Sequence, residues 1–166
     1  MNSKGFSIVE LIVSTSLIAI ISVIAFVGYR QSGRGTLIND QADVLVGSLE
    51  TVRGMSLSAT EVLDEDDEQV DYFTVDFVEE GFYLLRDTDS ERFQRFEENV
   101  IITDGNEKRV GFQPPYMSVQ FWEWDEADDE WEKLDRDSIE VELNLTYGDE
   151  DPVVVEINRV GLVQKR

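Results

Sequence analysis

The chain has no cysteine and no histidine, and its first proline is Pro114. Without cysteine there is no disulfide, no thiolate nucleophile and no thiolate metal site. Without histidine the usual general base and the commonest metal ligand are missing, so triad chemistry in its ordinary forms is excluded. No glycine-rich phosphate cradle and no carboxylate pair marked as catalytic stands in their place, so neither an enzyme nor a cofactor is expected. Basic residues are scarce as well, with 14 against 36 acidic ones. Beyond Thr36 the imbalance is sharper: 35 of the acids lie there with 11 of the bases, a net charge of −24. Such a field repels nucleic acid and anionic lipid headgroups, so no nucleic-acid partner is expected for this chain alone. Cations or basic protein surfaces suit it better, and a saline habitat selects the same composition.

What is present begins with an apolar run from Phe6 to Tyr29, long enough to cross a bilayer, since about 20 helical residues span the hydrocarbon. A short leader with Lys4 and Gly5 precedes it, and one carboxylate, Glu10, sits inside it. Placing that acid among Ile8, Val9, Leu11 and Ile12 costs roughly 2.5 kcal/mol or more at a helix centre unless a partner neutralises it. Two ordinary readings compete. In a secretory signal peptide Met1 to Lys4 is the basic region, Leu11 to Ile24 the apolar core, and Val23-Ile24-Ala25 the cleavage site. In a plain anchor the whole run simply stays in the membrane. Both leave Glu10 without a purpose. Lys4 precedes the run while Arg30 and Arg34 follow it, so positive charge does not decide the orientation.

Gly5-Phe6 followed by Glu10 resembles the N-terminus of type IV prepilins and of the pseudopilins of type II secretion. The resemblance implies that a prepilin peptidase cuts between Gly5 and Phe6 and methylates the new N-terminus at Phe6. Glu10 lies about one helical turn from that ammonium, and a neighbouring subunit shifted along the helix axis could pair its ammonium with this carboxylate. Glu10 is then an assembly contact. Other implied partners are further pilin or pseudopilin subunits and an inner-membrane assembly platform. The implied location is the inner membrane, with a single pass and the head in the periplasm or outside, and afterwards the pilus or pseudopilus. Many relatives carry a disulfide near the C-terminus, and this chain departs from them. The expected organisation is a leader over 1–5, a membrane and assembly helix over 6–29, an amphipathic continuation over 30–60 and a β-rich head over 61–166.

Gly28, Gly33 and Gly35 suggest a loosened helix where the chain leaves the bilayer. From Thr36, Ile38, Ala42, Leu45, Leu49, Val52 and Met55 recur every three or four residues, which predicts a helix with one stripe on a core. Strand patterns follow. Phe73, Val75 and Phe77 alternate with polar residues, and Gly81 turns the chain into Phe82 to Arg86 as a hairpin. Val100 to Thr103 and Arg109 to Phe112 flank Asp104-Gly105, a strong hairpin signal. Tyr116 to Trp124 and Trp131 to Leu134 enclose an acidic tip, and Ile139, Val141, Leu143 and Leu145 alternate cleanly before a turn over 148–152. Val153, Val155 and Ile157 mark the next strand, and Val160 to Val163 the last.

One long N-terminal helix followed only by strands predicts an α+β fold with the helix packed on an antiparallel sheet. The layout is similar to that of GspH/FimT-type minor pseudopilins. The residues that carry the likeness are Leu45, Leu49, Arg53 and Ser56, the strand over 110–114, and the segment over 155–163. Pro114-Pro115-Tyr116 stands where relatives tend to have a glycine. Subunits of this sort help to initiate or prime a fibre, and the retained Glu10 argues against the extreme tip position. A major pilin is the neighbouring alternative.

Two acidic clusters remain, one from Glu61 to Asp71 and one from Asp125 to Glu130. Calcium takes about six to eight oxygens, but neither cluster fits the EF-hand spacing or holds a glycine, and a solvated loop is the plainer reading. No metal ligand is assigned. The alternative function is a membrane-tethered or secreted acidic β domain that binds calcium or a basic partner. Trp122 and Trp124 share a face near Trp131, as a cross-strand packing group or a partner patch, and packing is favoured. The sequon Asn144-Leu145-Thr146 falls mid-strand and is incidental.

Overall fold

A computed structural model describes residues 7–58, 72–86, 90–97, 99–114, 118–147 and 151–166. Gly5, Phe6, the first acidic cluster, Pro115, Tyr116 and Gly148 lie outside the described residues. The chain divides into two compact units, Met1–Thr36 and Leu37–Arg166.

Helix α1 runs over Ile8–Ser58 and contributes to both units. Gly28, Gly33 and Gly35 lie within its bounds. Each glycine costs about 1 kcal/mol relative to alanine, which weakens a helix without removing a backbone donor as proline would. In the first unit none of the stretch Ile8–Phe26 is buried. Three consecutive hydroxyls inside it are satisfied within the helix: Ser14 donates to the Glu10 carbonyl, Thr15 to those of Leu11 and Ile12, and Ser16 to that of Ile12. An apolar surround therefore meets no unpaired hydroxyl at these three positions.

In the second unit Ile38, Ala42, Leu45, Leu49 and Val52 are buried at alternating steps of four and three residues. The next step falls on Ser56, fully buried, while Met55 is half exposed, so the expected stripe is corrected at its last position. At about 100° per residue, a step of four after a step of three keeps the stripe centred, whereas two steps of three drift off it. Gln41, also buried, accepts the Glu97 N–H at 3.3 Å and ties α1 to the strand region.

Ten strands are described: β1 Phe73–Val78, β2 Gly81–Arg86, β3 Ser90–Arg95, β4 Val100–Asp104, β5 Lys108–Gln113, β6 Ser118–Asp125, β7 Glu130–Leu134, β8 Ser138–Leu145, β9 Val153–Asn158 and β10 Val163–Lys165. The fold is α+β, as expected, and the strands form two antiparallel sheets. The larger has the order β3-β2-β1-β5-β6-β7 and the smaller β10-β9-β8-β4. Both place alternate residues inward. Val75, Phe77, Phe82, Val110, Phe112 and Phe121 of the larger sheet share one core with Ile102, Val141, Leu143, Val155 and Ile157 of the smaller and with the α1 stripe.

The hairpins β1–β2, β6–β7 and β8–β9 match the sequence expectation. The one expected at Asp104-Gly105 does not form. There β4 pairs with β8 in the smaller sheet, while β5 pairs with β1 and β6 in the larger. Asp-Gly supplies a left-handed residue and so a turn, but the turn alone does not choose the strand's partner. Gly105 has φ +92°, Glu107 has φ 65°, and β4 carries a register shift between Ile102 and Asp104; together they swing the chain from one sheet to the other. A side chain at Gly105 would also meet the Glu140 carbonyl at 2.6 Å. The last strand begins at Val163, not Val160, because Arg159 to Leu162 make the turn from β9 and the Asn158 carboxamide accepts from the N–H groups of Val160 and Leu162.

Candidate functional site

Ser7 is the N-cap of α1. Its hydroxyl accepts the Val9 N–H at 3.3 Å, and the Glu10 carboxylate, through Oε2, accepts the Ser7 N–H at 3.1 Å. This is the reciprocal arrangement of a capping box, in which a serine and a glutamate three residues on satisfy donors that a helix start leaves open. Glu10 thus has a role beyond the assembly contact expected of it, and the spacing Ser7-Ile8-Val9-Glu10 is the sequence signal for that role. The carboxylate sits at the positive end of the helix dipole, where a negative charge is favourable. A carboxylate has about four acceptor positions, so one backbone bond does not saturate it. Glu10 is exposed and is the only ionisable residue in the stretch Ile8–Phe26. Gly5 and Phe6, the expected processing residues, lie outside the described residues.

The second candidate surface belongs to the outer face of the larger sheet. Asp76 and Arg109 are cross-strand partners there, joined by two bonds, Nε to Oδ1 at 2.6 Å and Nη2 to Oδ2 at 2.5 Å. The guanidinium also lies 4.1 Å from the centre of the Trp131 ring. Trp131 meets Trp124 edge-on at 5.3 Å, and Trp122 meets Tyr72 edge-on at 5.4 Å. A Cβ on Gly111 would come within 2.7 Å of the Trp122 ring, so glycine is what lets that ring lie close on β5. This layer explains why Thr74 and Asp76 are buried on the face opposite the core. The three tryptophans are half-buried, as the packing reading requires.

The acidic tip of the β6–β7 hairpin is exposed over Glu126 to Glu130. Asp125 Oδ1 accepts the Ala127 N–H, and Asp129 takes a left-handed φ of 56° to close the turn. Among the described residues no three acidic side chains are grouped so as to hold a metal ion. Among the described residues, hollows indent the second unit. One of about 360 Å³ lies among Glu80, Arg95, Phe96, Asn99, Val100 and Thr146, and one of about 230 Å³ lies among Gln120, Phe121, Lys133, Leu134 and Arg159.

Residues 1–26 match the prokaryotic N-terminal methylation motif. No curated protein and no solved structure matches the chain. With an exposed apolar helix at its N-terminus, long enough to cross a membrane, the motif supports a membrane-associated type IV pilin-like or pseudopilin subunit that a peptidase processes and that assembles with others of its kind.

Proposed function

We propose that the chain is a minor pilin or pseudopilin of GspH/FimT type, a structural subunit without catalytic activity. It is stored in the inner membrane with its head in the periplasm. A prepilin peptidase cuts between Gly5 and Phe6 and methylates Phe6, and the subunit then enters a filament at its initiation or priming. The observation that carries this reading is the methylation motif over residues 1–26, with one carboxylate, Glu10, inside the apolar stretch. A charge in hydrocarbon costs roughly 2.5 kcal/mol or more at mid-span, and the ammonium of a neighbouring subunit offsets that cost only in the assembled state. Assembly is thereby coupled to processing, because the ammonium at Phe6 exists only after the cut. The capping bond from Ser7 holds the carboxylate until the neighbour arrives. The order of elements, one long helix and then strands, supports the GspH/FimT reading as a layout.

Mass spectrometry of the N-terminal peptide, from membranes of cells with an active prepilin peptidase, tests the reading. A chain beginning at N-methylated Phe6 is expected; an intact Met1, or a start at Phe26, overturns it. The subunit's share in sheared filaments separates the roles, since a minor subunit is rare there and a major pilin predominates.

A further inference from the structure

The β6–β7 hairpin continues past the core: Phe121 and Leu134 are its last apolar cross-strand pair on the inward face, and beyond them that face reads Glu123 opposite Glu132 and Asp125 opposite Glu130. Like charges placed directly opposite each other destabilise a sheet, so the fold tolerates two such pairs in succession on one face of a ribbon. Lys108 stands beside Glu123 in the ladder, but among the described residues no further strand lies next to Glu132 on the outer side. On the other face the same ribbon presents Trp124 and Trp131. β7 is the edge of the larger sheet, and among the described residues no segment pairs with its outer side. In an edge strand about every second backbone N–H and C=O points outward with no ladder partner.

We propose that the outer edge of β7 docks an extended segment of another protein in which basic residues alternate with apolar ones. A strand added there places its residues on the two faces by turns. Those on one face lie beside Glu130 and Glu132, which calls for lysine or arginine, and those on the other lie beside Trp131 and Lys133, which calls for an apolar side chain and disfavours a further cation. The charge pattern also says what the occupant is not. A second copy of β7 would bring its own Glu130 and Glu132 against these two, so self-pairing is disfavoured by the same residues that attract a basic strand. The net charge of −24 beyond Thr36 adds long-range attraction for such a partner, and the exposed edge makes that attraction sensitive to salt. The edge lies wholly within the second unit, so docking there is independent of the pilin role.

The test uses the full chain in detergent micelles and a capped octapeptide alternating lysine and valine. Two control peptides go with it, one of the same composition with its lysines in a block and one alternating glutamate and valine. Hydrogen exchange at the β7 amides and tryptophan fluorescence give the readout. The alternating lysine peptide is expected to slow exchange in β7 and to bind less well as salt rises. The double variant Glu130→Gln/Glu132→Gln is expected to bind it roughly fivefold more weakly, the effect of losing two exposed charge pairs. Equal binding of the block peptide would reduce the effect to attraction for any polycation and overturn the proposal. So would equal binding of the glutamate peptide, an unchanged affinity in the double variant, or no protection of β7.

Discussion

Helix α1 solves two opposite problems along its length. Over Ile8–Phe26 its apolar side chains point in every direction and none is buried, whereas Ile38, Ala42, Leu45, Leu49 and Val52, beyond Leu37, form one stripe nearly closed to solvent. The chemistry of the side chains is much the same in both regions, with isoleucine, leucine, valine and alanine dominating. What differs is the period. A stripe with steps of three and four specifies one neighbour and is satisfied within the chain, while an all-round apolar surface specifies a solvent, lipid or a packed filament, and remains unsatisfied without it. Under the proposed function the first region carries assembly and the second stability, and changes in one should leave the other alone.

The largest effect expected is at Glu10. Glu10→Ala removes the one charge of the first region and should abolish recovery of this subunit in filaments while leaving the thermal unfolding of the second unit unchanged. Sheared-filament immunoblots and calorimetry on the same preparation check both halves. Normal incorporation of Glu10→Ala would remove the assembly role proposed for this residue. The converse change is Leu49→Ala in the buried stripe, which is expected to cost about 2–5 kcal/mol of stability through lost burial and the cavity left behind. Denaturant unfolding measures it. N-terminal processing should proceed as before, because the methylation motif lies in the first region.

Legibility in the sequence follows the same division. The methylation motif of the first region was legible, since Gly5-Phe6 and Glu10 stand out against an apolar run. The α1 stripe and β8 were also legible, because their core faces repeat over several periods: Ile139, Val141, Leu143 and Leu145 are all buried. Legibility failed where a long-range partner decides. β3, Ser-Glu-Arg-Phe-Gln-Arg, is a polar edge strand held by its ladder to β2, and nothing in its own pattern announces it. At Asp104-Gly105 the local signal was correct about the turn and misleading about the pairing, which is settled by the edges that β8 and β1 leave open. The tryptophan layer was half visible: alternation put Trp122 and Trp124 on one face, but Asp76 and Arg109, far apart in sequence, gave no hint that they meet beneath it.

That layer offers an intermediate test inside the second region. Asp76→Ala leaves the Arg109 guanidinium largely buried without its carboxylate and is expected to destabilise by about 3 kcal/mol. Replacing both partners, as Asp76→Leu with Arg109→Met, should recover most of the loss, since an apolar pair of similar size leaves no charge unpaired. Urea unfolding of the parent and the two variants decides the matter. If the double replacement is as unstable as Asp76→Ala, the apolar pair does not replace the ion pair, and losing the cation over the Trp131 ring adds to the cost.

The smallest effect expected is at the bond between Lys165 and Asp43, which joins β10 to α1 across 2.5 Å. Its length suggests strength, yet Asp43 is largely exposed and Lys165 partly so, and exposed pairs contribute only about 0–1 kcal/mol because water and salt screen them. Lys165→Ala should therefore shift the unfolding midpoint little in low salt and not at all in high salt. The stripe beneath it, with Leu45 and Leu49 fully buried, already fixes α1 against the strands. A loss comparable to that of Leu49→Ala would mean that the strongly negative surface makes each cation count for more than an isolated pair does, and the division between an apolar core that stabilises and a charged surface that selects partners would have to be redrawn.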